Sequence, residues 1–167
     1  MTDPRLREIL AMLDPKPGTR LWHGGASPLG SLRGVSPEQA VWKPSPDRHS
    51  IWEFALHIAY WDYAVRRGLE GGPVGGFPRS PANWPAVPTR PDAKAWANDR
   101  TLLRSEQKKL IAAVRGFDPK RLDEVASRKK TYRFADLLHG IVMHDTYHAG
   151  QIQLMKRLYR ARRTRGR

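Results

Sequence analysis

The chain has 167 residues and a mass of 19.0 kDa, which is the size of one domain with a short extension. A chain of this length buries about 70% of the surface of its unfolded form, so it needs neither disulfides nor a structural metal to fold. It contains no cysteine, which excludes disulfide scaffolds, thiolate zinc fingers, iron–sulfur clusters and cysteine nucleophiles. Any bound metal must have nitrogen or oxygen ligands, and the six histidines are the first candidates.

The formal charge of +14 is unevenly distributed, because residues 156–167 carry seven basic side chains and no acid. Such a tail either attracts nucleic acid or anionic lipid, or is a solvated helix end. The solvated helix end is favoured, and no helix-turn-helix spacing supports a nucleic-acid partner. No apolar run approaches the roughly 18 residues of a membrane span, and the first residues lack a signal-peptide pattern. We therefore expect a cytoplasmic protein with no membrane partner.

Helix signals dominate the chain from its start, and no alternating strand pattern is found. Asp3 and Pro4 open a first helix that should end before Pro15. Shorter helical turns are predicted after the capping residues Ser27 and Ser36.

Three longer helices are predicted in the rest of the chain. Ser50 and Glu53 form a capping box that opens the clearest helix, which should end within the glycines of 68–72. The next helix is expected from about 92 to 114, and the last from near Phe134 until it frays in the basic tail. We expect a domain over 1–158 and a basic tail over 159–167.

Residues 68–91 contain six prolines and five glycines, together with Phe77 and Trp84. A linker without function seldom carries large aromatic side chains, and long loops in compact domains tend to be lids or binding loops. This segment is predicted to be an ordered loop packed over one end of the helices.

Three histidines lie in the apolar stripes of two helices. His144 and His148 are four residues apart, so both rings can reach one point from the same helix face. His57 lies on the inward face of the helix that Ser50 opens. A buried imidazole nitrogen without a partner costs about 1–3 kcal/mol, and a divalent cation would satisfy all three rings. The alternative for one such ring is a core histidine bonded to a backbone carbonyl.

The remaining histidines are weaker candidates. His139 lies on another face of the last helix and should not be a ligand. His49 precedes the capping serine and is expected in solvent. His23, beside two glycines, could face a substrate or orient a ligand, although a packing or surface role is the more favoured one.

Three polar residues accompany the histidines. Gln151 can fix a ligand or touch a substrate, and Asp145 can anchor the far nitrogen of a ligand or face solvent. Glu53 could orient His57, although its place in the capping box is the more favoured role. None of them is identified as a catalytic base.

The segment from His49 to His57, followed by the run from His144 through His148 to Gly150 and Gln151, resembles the DinB/YfiT-like family of metalloenzymes. The second segment is the more specific, because the family carries a His-x-x-x-His-x-Gly-Gln pattern in its last helix. The resemblance covers about residues 20–158.

The resemblance implies an all-α fold, a four-helix bundle with up-down-down-up connections. It also implies a divalent metal, zinc, nickel, iron or manganese, on His57, His144 and His148, and frequent homodimers. Characterised relatives include transferases and isomerases that depend on a low-molecular-weight thiol. The leading hypothesis is therefore a metal-dependent enzyme that transfers a thiol cofactor to a small-molecule substrate or hydrolyses that substrate. Its rivals are a metal-stabilised binding protein without catalysis and a nucleic-acid-binding module that uses the basic tail.

Overall fold

The computed structural model describes residues 3–15, 27–73, 75–126 and 131–164. Within these ranges the secondary structure is helical, with one isolated bridge between Val125 and Arg133 and no strand. The all-α class predicted from the sequence is therefore confirmed for this part of the chain. None of the helices described combines the length and apolarity that crossing a bilayer requires.

The described ranges contain six α-helices, which begin close to the predicted caps. Their bounds are α1 Pro4–Leu13, α2 Pro28–Ser31, α3 Pro37–Val41, α4 Ile51–Leu69, α5 Ala93–Arg115 and α6 Phe134–Thr164. Ser50 and Glu53 form the predicted capping box at α4, with each side chain bonded to the other residue's backbone N–H. A short 3-10 helix at Pro119–Arg121 was not predicted.

The last helix runs into the basic tail. α6 continues without interruption for 31 residues to Thr164. The guanidinium of Arg162 lies 3.8 Å from the ring centroid of Tyr159 and 5.4 Å from that of Trp42. These cation–π contacts place the final turns of α6 against the segment that precedes α4.

Two apolar clusters form the core. One lies between α1, the ends of α4 and α5, and the start of α6. The other joins α2 and α3 to the start of α4, the start of α5 and the middle of α6. Trp52 in the second cluster is fully buried and donates its indole N–H to Asp99 on α5 at 2.8 Å.

Side-chain pairs fix the relative directions of the three long helices. Trp52 and Arg66 on α4 contact Asp99 and Glu106 on α5 in the same order, so these helices run in the same direction. Gly68, near the end of α4, lies against Leu137, near the start of α6. Because the histidines in the middle of both helices also meet, α4 and α6 run in opposite directions.

Candidate metal centre

Three imidazole rings meet in the core where α4 crosses α6. His57 on α4 and His148 on α6 are buried, and His144 is partly exposed. Each offers one ring nitrogen to a cluster in which all three nitrogens lie within 4.8 Å of one another. The Nε2 atoms of His57 and His144 are 3.1 Å apart. Such a cluster could hold a single ion.

Each of the three rings has its Nδ1 atom at an acceptor. The Nδ1 of His57 lies 2.8 Å from the carbonyl oxygen of Asn83, and that of His144 lies 3.2 Å from Asp145 Oδ1. The Nδ1 of His148 lies 2.6 Å from Gln151 Oε1. A proton on each Nδ1 donates to these oxygens, which leaves the Nε2 lone pairs for a metal.

The electrostatics of the cluster favour neutral rings. Burial, together with the neighbouring His144 and His148, lowers the pKa of His57 to about 4, against the opposing effect of the Asn83 carbonyl. Burial, with the proximity of a second imidazole at His144, also lowers the pKa of His148. Neutral imidazole is the form that binds a metal, so these two rings are ready to act as ligands at neutral pH without losing a proton.

The loop before α5 covers one side of the cluster. Trp84 stacks on His57 with ring centroids 3.8 Å apart, and its indole also stacks on His49 at 3.7 Å. Phe77 packs against Tyr60, and Arg79 pairs with Asp99 at 2.6 Å. In the described part of 68–91, these contacts pack the loop on α4 and α5.

The accompanying residues have three different outcomes. Gln151 Oε1 contacts the Nδ1 atom of His148, and Asp145 Oδ1 contacts that of His144. Glu53 serves the capping box and pairs with Lys43 at 2.9 Å, so the more favoured role is the observed one. His23 lies outside the described residues.

The two other histidines are separate from the cluster. His139 is exposed and bonds to the carbonyl of Ala135 within α6, which agrees with its exclusion. His49 keeps 42% of its side chain exposed, and its ring also lies between Trp84 and Phe54, a contact that the sequence did not indicate. The flat ring of Trp84 offers apolar surface on both faces, and His49 occupies the face opposite His57.

A buried carboxyl pair was missed in the sequence. Asp62 on α4 is fully buried, and Asp145 is 3% exposed. Burial raises the pKa of Asp62 well above its ordinary value, and the charges and hydrogen bonding of Asp145 raise it further. As ionised groups, both Asp62 oxygens and Asp145 Oδ2 would have no hydrogen-bond partner among the described residues. A proton on one Asp62 oxygen, donated to Asp145 Oδ2, gives a partner to two of these three oxygens and leaves Asp145 Oδ1 for His144.

The spacing of apolar residues on α4 could have indicated that Asp62 is buried. It lies four residues after Ile58 and three before Val65, and both of those are buried on α4. An acid at such a position needs a buried partner. Asn83 could not have been found in the same way, because it acts through its backbone carbonyl.

The described part of the chain is helical, and three imidazoles converge in its core with each Nδ1 atom at an acceptor. These features define a helical protein with a candidate histidine metal site. A family comparison identifies it further: the model of the DinB superfamily matches residues 27–152. The chain belongs to the DinB superfamily. No curated protein and no solved structure matches it at a significant level.

Proposed function

We propose that this chain is a metal-dependent enzyme in which His57, His144 and His148 bind one divalent cation. The observation that carries the proposal is the orientation of the rings. Three separate acceptors hold the three Nδ1 atoms, and the remaining nitrogens lie together. A core of histidines without a ligand would have no need for this common arrangement.

Three neutral ligands leave a zinc, nickel, iron or manganese ion with free coordination positions, as catalytic sites do. When bound, the ion supplies Lewis-acid chemistry and can activate a thiolate or a water molecule. The chain's own residues orient the rings and exclude water: Trp84 covers His57, and Phe54 packs against His148 at a centroid distance of 5.4 Å. His144 has 23% of its side chain exposed, so a substrate would approach on its side.

The reaction we propose is transfer of a low-molecular-weight thiol to a small-molecule substrate, with metal-assisted hydrolysis as the second reaction. The superfamily membership supports a metal-dependent reaction of this kind, and the absence of cysteine means that the sulfur must come from a cofactor. We further propose that α1, α4, α5 and α6 form an up-down-down-up bundle, which the common direction of α4 and α5 supports.

Metal binding is tested first, by stripping purified protein with a chelator and titrating it with zinc, nickel and manganese. We expect one equivalent to bind, and the variants His57→Gln, His144→Gln and His148→Gln to lose it. His139→Gln is the matched control, since this ring lies on α6 outside the cluster. Failure of the wild-type protein to take up any of these ions would contradict the proposal.

Catalysis is tested with the metal-loaded protein. Loss of a small thiol in the presence of an electrophile, or release of nitrophenol from an activated ester, would distinguish the two reactions. A cobalt-substituted form reports on the free positions, because azide or imidazole should change its visible spectrum. A spectrum that does not respond, with no turnover, would favour the metal-stabilised binding protein.

A further inference from the structure

A cavity of about 360 Å³ lies between α2 and α5, away from the histidine cluster. Three arginines line it: Arg33 comes from the turn after α2, and Arg100 and Arg104 come from α5. Among the described residues no aspartate or glutamate reaches its wall. The volume is within the range of roughly 300–1,000 Å³ that is typical of small-molecule sites.

The three guanidinium groups have no counter-charge in the part of the chain that the structure describes. None of them forms an ion pair or a hydrogen bond there. The guanidinium of Arg100 lies 5.9 Å from the ring centroid of Trp96, a contact that leaves its N–H groups free to donate. Elsewhere, Arg66 and Arg79 pair with buried acids at 3.3 and 2.6 Å. The cavity therefore gathers permanent positive charge that the fold does not neutralise.

Both walls of the cavity are fixed by buried bonds. Lys156 on α6 is 7% exposed and donates from Nζ to the carbonyl oxygens of Ser31 and Arg33, at 2.8 and 2.9 Å. These two bonds hold the backbone from which the Arg33 side chain leaves. The buried indole of Trp96 on α5 donates to the carbonyl of Val35 at 3.1 Å, which ties the α5 wall to the segment after α2. The space between the walls is thus built into the fold.

The arginines of α5 share one face of that helix with the tryptophan that anchors it. Trp96, Arg100 and Arg104 follow each other at four-residue steps, so their side chains lie one above the next. Like charges at this spacing repel and destabilise a helix. The buried ammonium of Lys156 adds to the positive potential, and its pKa is lowered by burial and by the charges of Arg160 and Arg33. An anion in the cavity would relieve this repulsion.

We infer that this cavity binds a small molecule that carries a phosphate group. A single arginine satisfies the two oxygens of a carboxylate with a bidentate pair of hydrogen bonds. A phosphate group has three terminal oxygens and up to two negative charges, so it can accept from several guanidinium groups at once. Leu29 and Leu32 form an apolar part of the wall, beside which an organic group attached to the phosphate can lie.

The concave shape favours a small molecule over nucleic acid. Nucleic acid presents a row of phosphates, and proteins bind it through basic side chains distributed along a surface. Here the three guanidinium groups come from two facing walls and line one cavity. The inference does not require a metal: Lys156, which holds the α2 wall, lies eight residues or about 12 Å along α6 from His148.

The test is calorimetric titration of the full chain with phenyl phosphate at pH 7.5, at constant low ionic strength. A chelator keeps the protein metal-free, so that phosphate cannot bind through an ion on the histidines. We expect one saturable site, with weaker binding of inorganic phosphate and of citrate. Arg33→Gln, Arg100→Gln and Arg104→Gln should each weaken phenyl phosphate binding by about 10-fold or more, with unchanged helical circular dichroism.

Two controls separate a site from general attraction by a basic protein. Arg7→Gln removes the same charge from an exposed position on α1 outside the cavity, and its affinity should equal that of wild type. Arg100→Lys keeps the charge but loses the planar fork, so it should bind more weakly than wild type. Wild-type affinity in this lysine variant would indicate attraction by charge alone and would overturn the site.

The other probes decide the class of ligand. No saturable binding of phenyl phosphate, or wild-type affinity in all three glutamine variants, would overturn the inference. Tighter binding of citrate would overturn the choice of phosphate over carboxylate, and equal affinity for inorganic phosphate would overturn the role of Leu29 and Leu32. If a single-stranded oligonucleotide displaces phenyl phosphate at equal phosphate concentration, the surface serves nucleic acid instead of a small molecule.

Discussion

Acidification of the metal-free protein is expected to destabilise it through His57. Burial lowers the pKa of this imidazole to about 4, against an ordinary value of 6.5. Between these values the unfolded chain binds a proton that the folded chain does not, so the free energy of unfolding falls as the pH falls from 6.5 toward 4. Above pH 6.5 the ring is neutral in both states and its contribution is fully present.

The magnitude follows from the difference between the two pKa values. Each unit of pKa difference between the folded and unfolded states changes the free energy of unfolding by about 1.4 kcal/mol, so the full effect of His57 is about 3 kcal/mol. About 2.5 kcal/mol of this is lost between about pH 7.5 and pH 4.5. The lowered pKa of His148 acts in the same direction. The raised pKa values of Asp62 and Asp145 act in the opposite direction, because the folded state then binds the additional proton.

The assay therefore compares variants at both pH values. Urea unfolding in the presence of a chelator gives the free energy of unfolding for wild type, His57→Gln and His139→Gln. Wild type should lose about 2.5 kcal/mol more than His57→Gln on acidification, whereas His139→Gln should behave as wild type. An equal loss in wild type and His57→Gln would refute the assignment of a buried neutral ring to this position.

Three further substitutions separate the roles of residues around the cluster. Gln151→Ala should weaken zinc binding by about 10- to 100-fold, measured by competition with a chromophoric chelator, because Nδ1 of His148 loses its acceptor; an unchanged affinity would exclude this role. Asp62→Asn should keep the visible spectrum of the cobalt form, since its amide still donates to Asp145, while Asp62→Leu should alter it. If both variants give the wild-type spectrum, Asp62 does not position Asp145. Ser50→Ala should lower the free energy of unfolding by about 1 kcal/mol through loss of the cap of α4, and an unchanged urea midpoint would contradict that.

Local signals predicted most of the helices because each carries its own boundary chemistry. The capping serines at 27, 36 and 50 begin α2, α3 and α4, where the side-chain oxygens accept backbone N–H groups. The far end of α6 could not be predicted in this way. Its last turns are held by tertiary contacts of Tyr159 and Arg162 with Trp42, which no local pattern contains.

The residues of the candidate site show the same difference between local signals and long-range contacts. Helical periodicity was enough to bring His144 and His148 to one face and to direct His57 inward, and these three rings do meet. Gln151 and Asp145 lie on the same helix as the rings that they contact, so helical spacing made them candidates. Asn83 and Trp84 contact His57 from 26 or more residues further along the chain. They could not be predicted, because the path of a proline-rich loop is not encoded in a repeating pattern.

The bond from the loop to His57 has a consequence for how such a protein can diversify. Its acceptor is a main-chain carbonyl, which every amino acid possesses, so the side chain at position 83 is free to change without releasing the imidazole. The other two rings are held by side chains and tolerate little exchange. Evolution can therefore alter the rim of the site in sequence, and with it the molecules that are admitted, while the helical interior keeps its geometry.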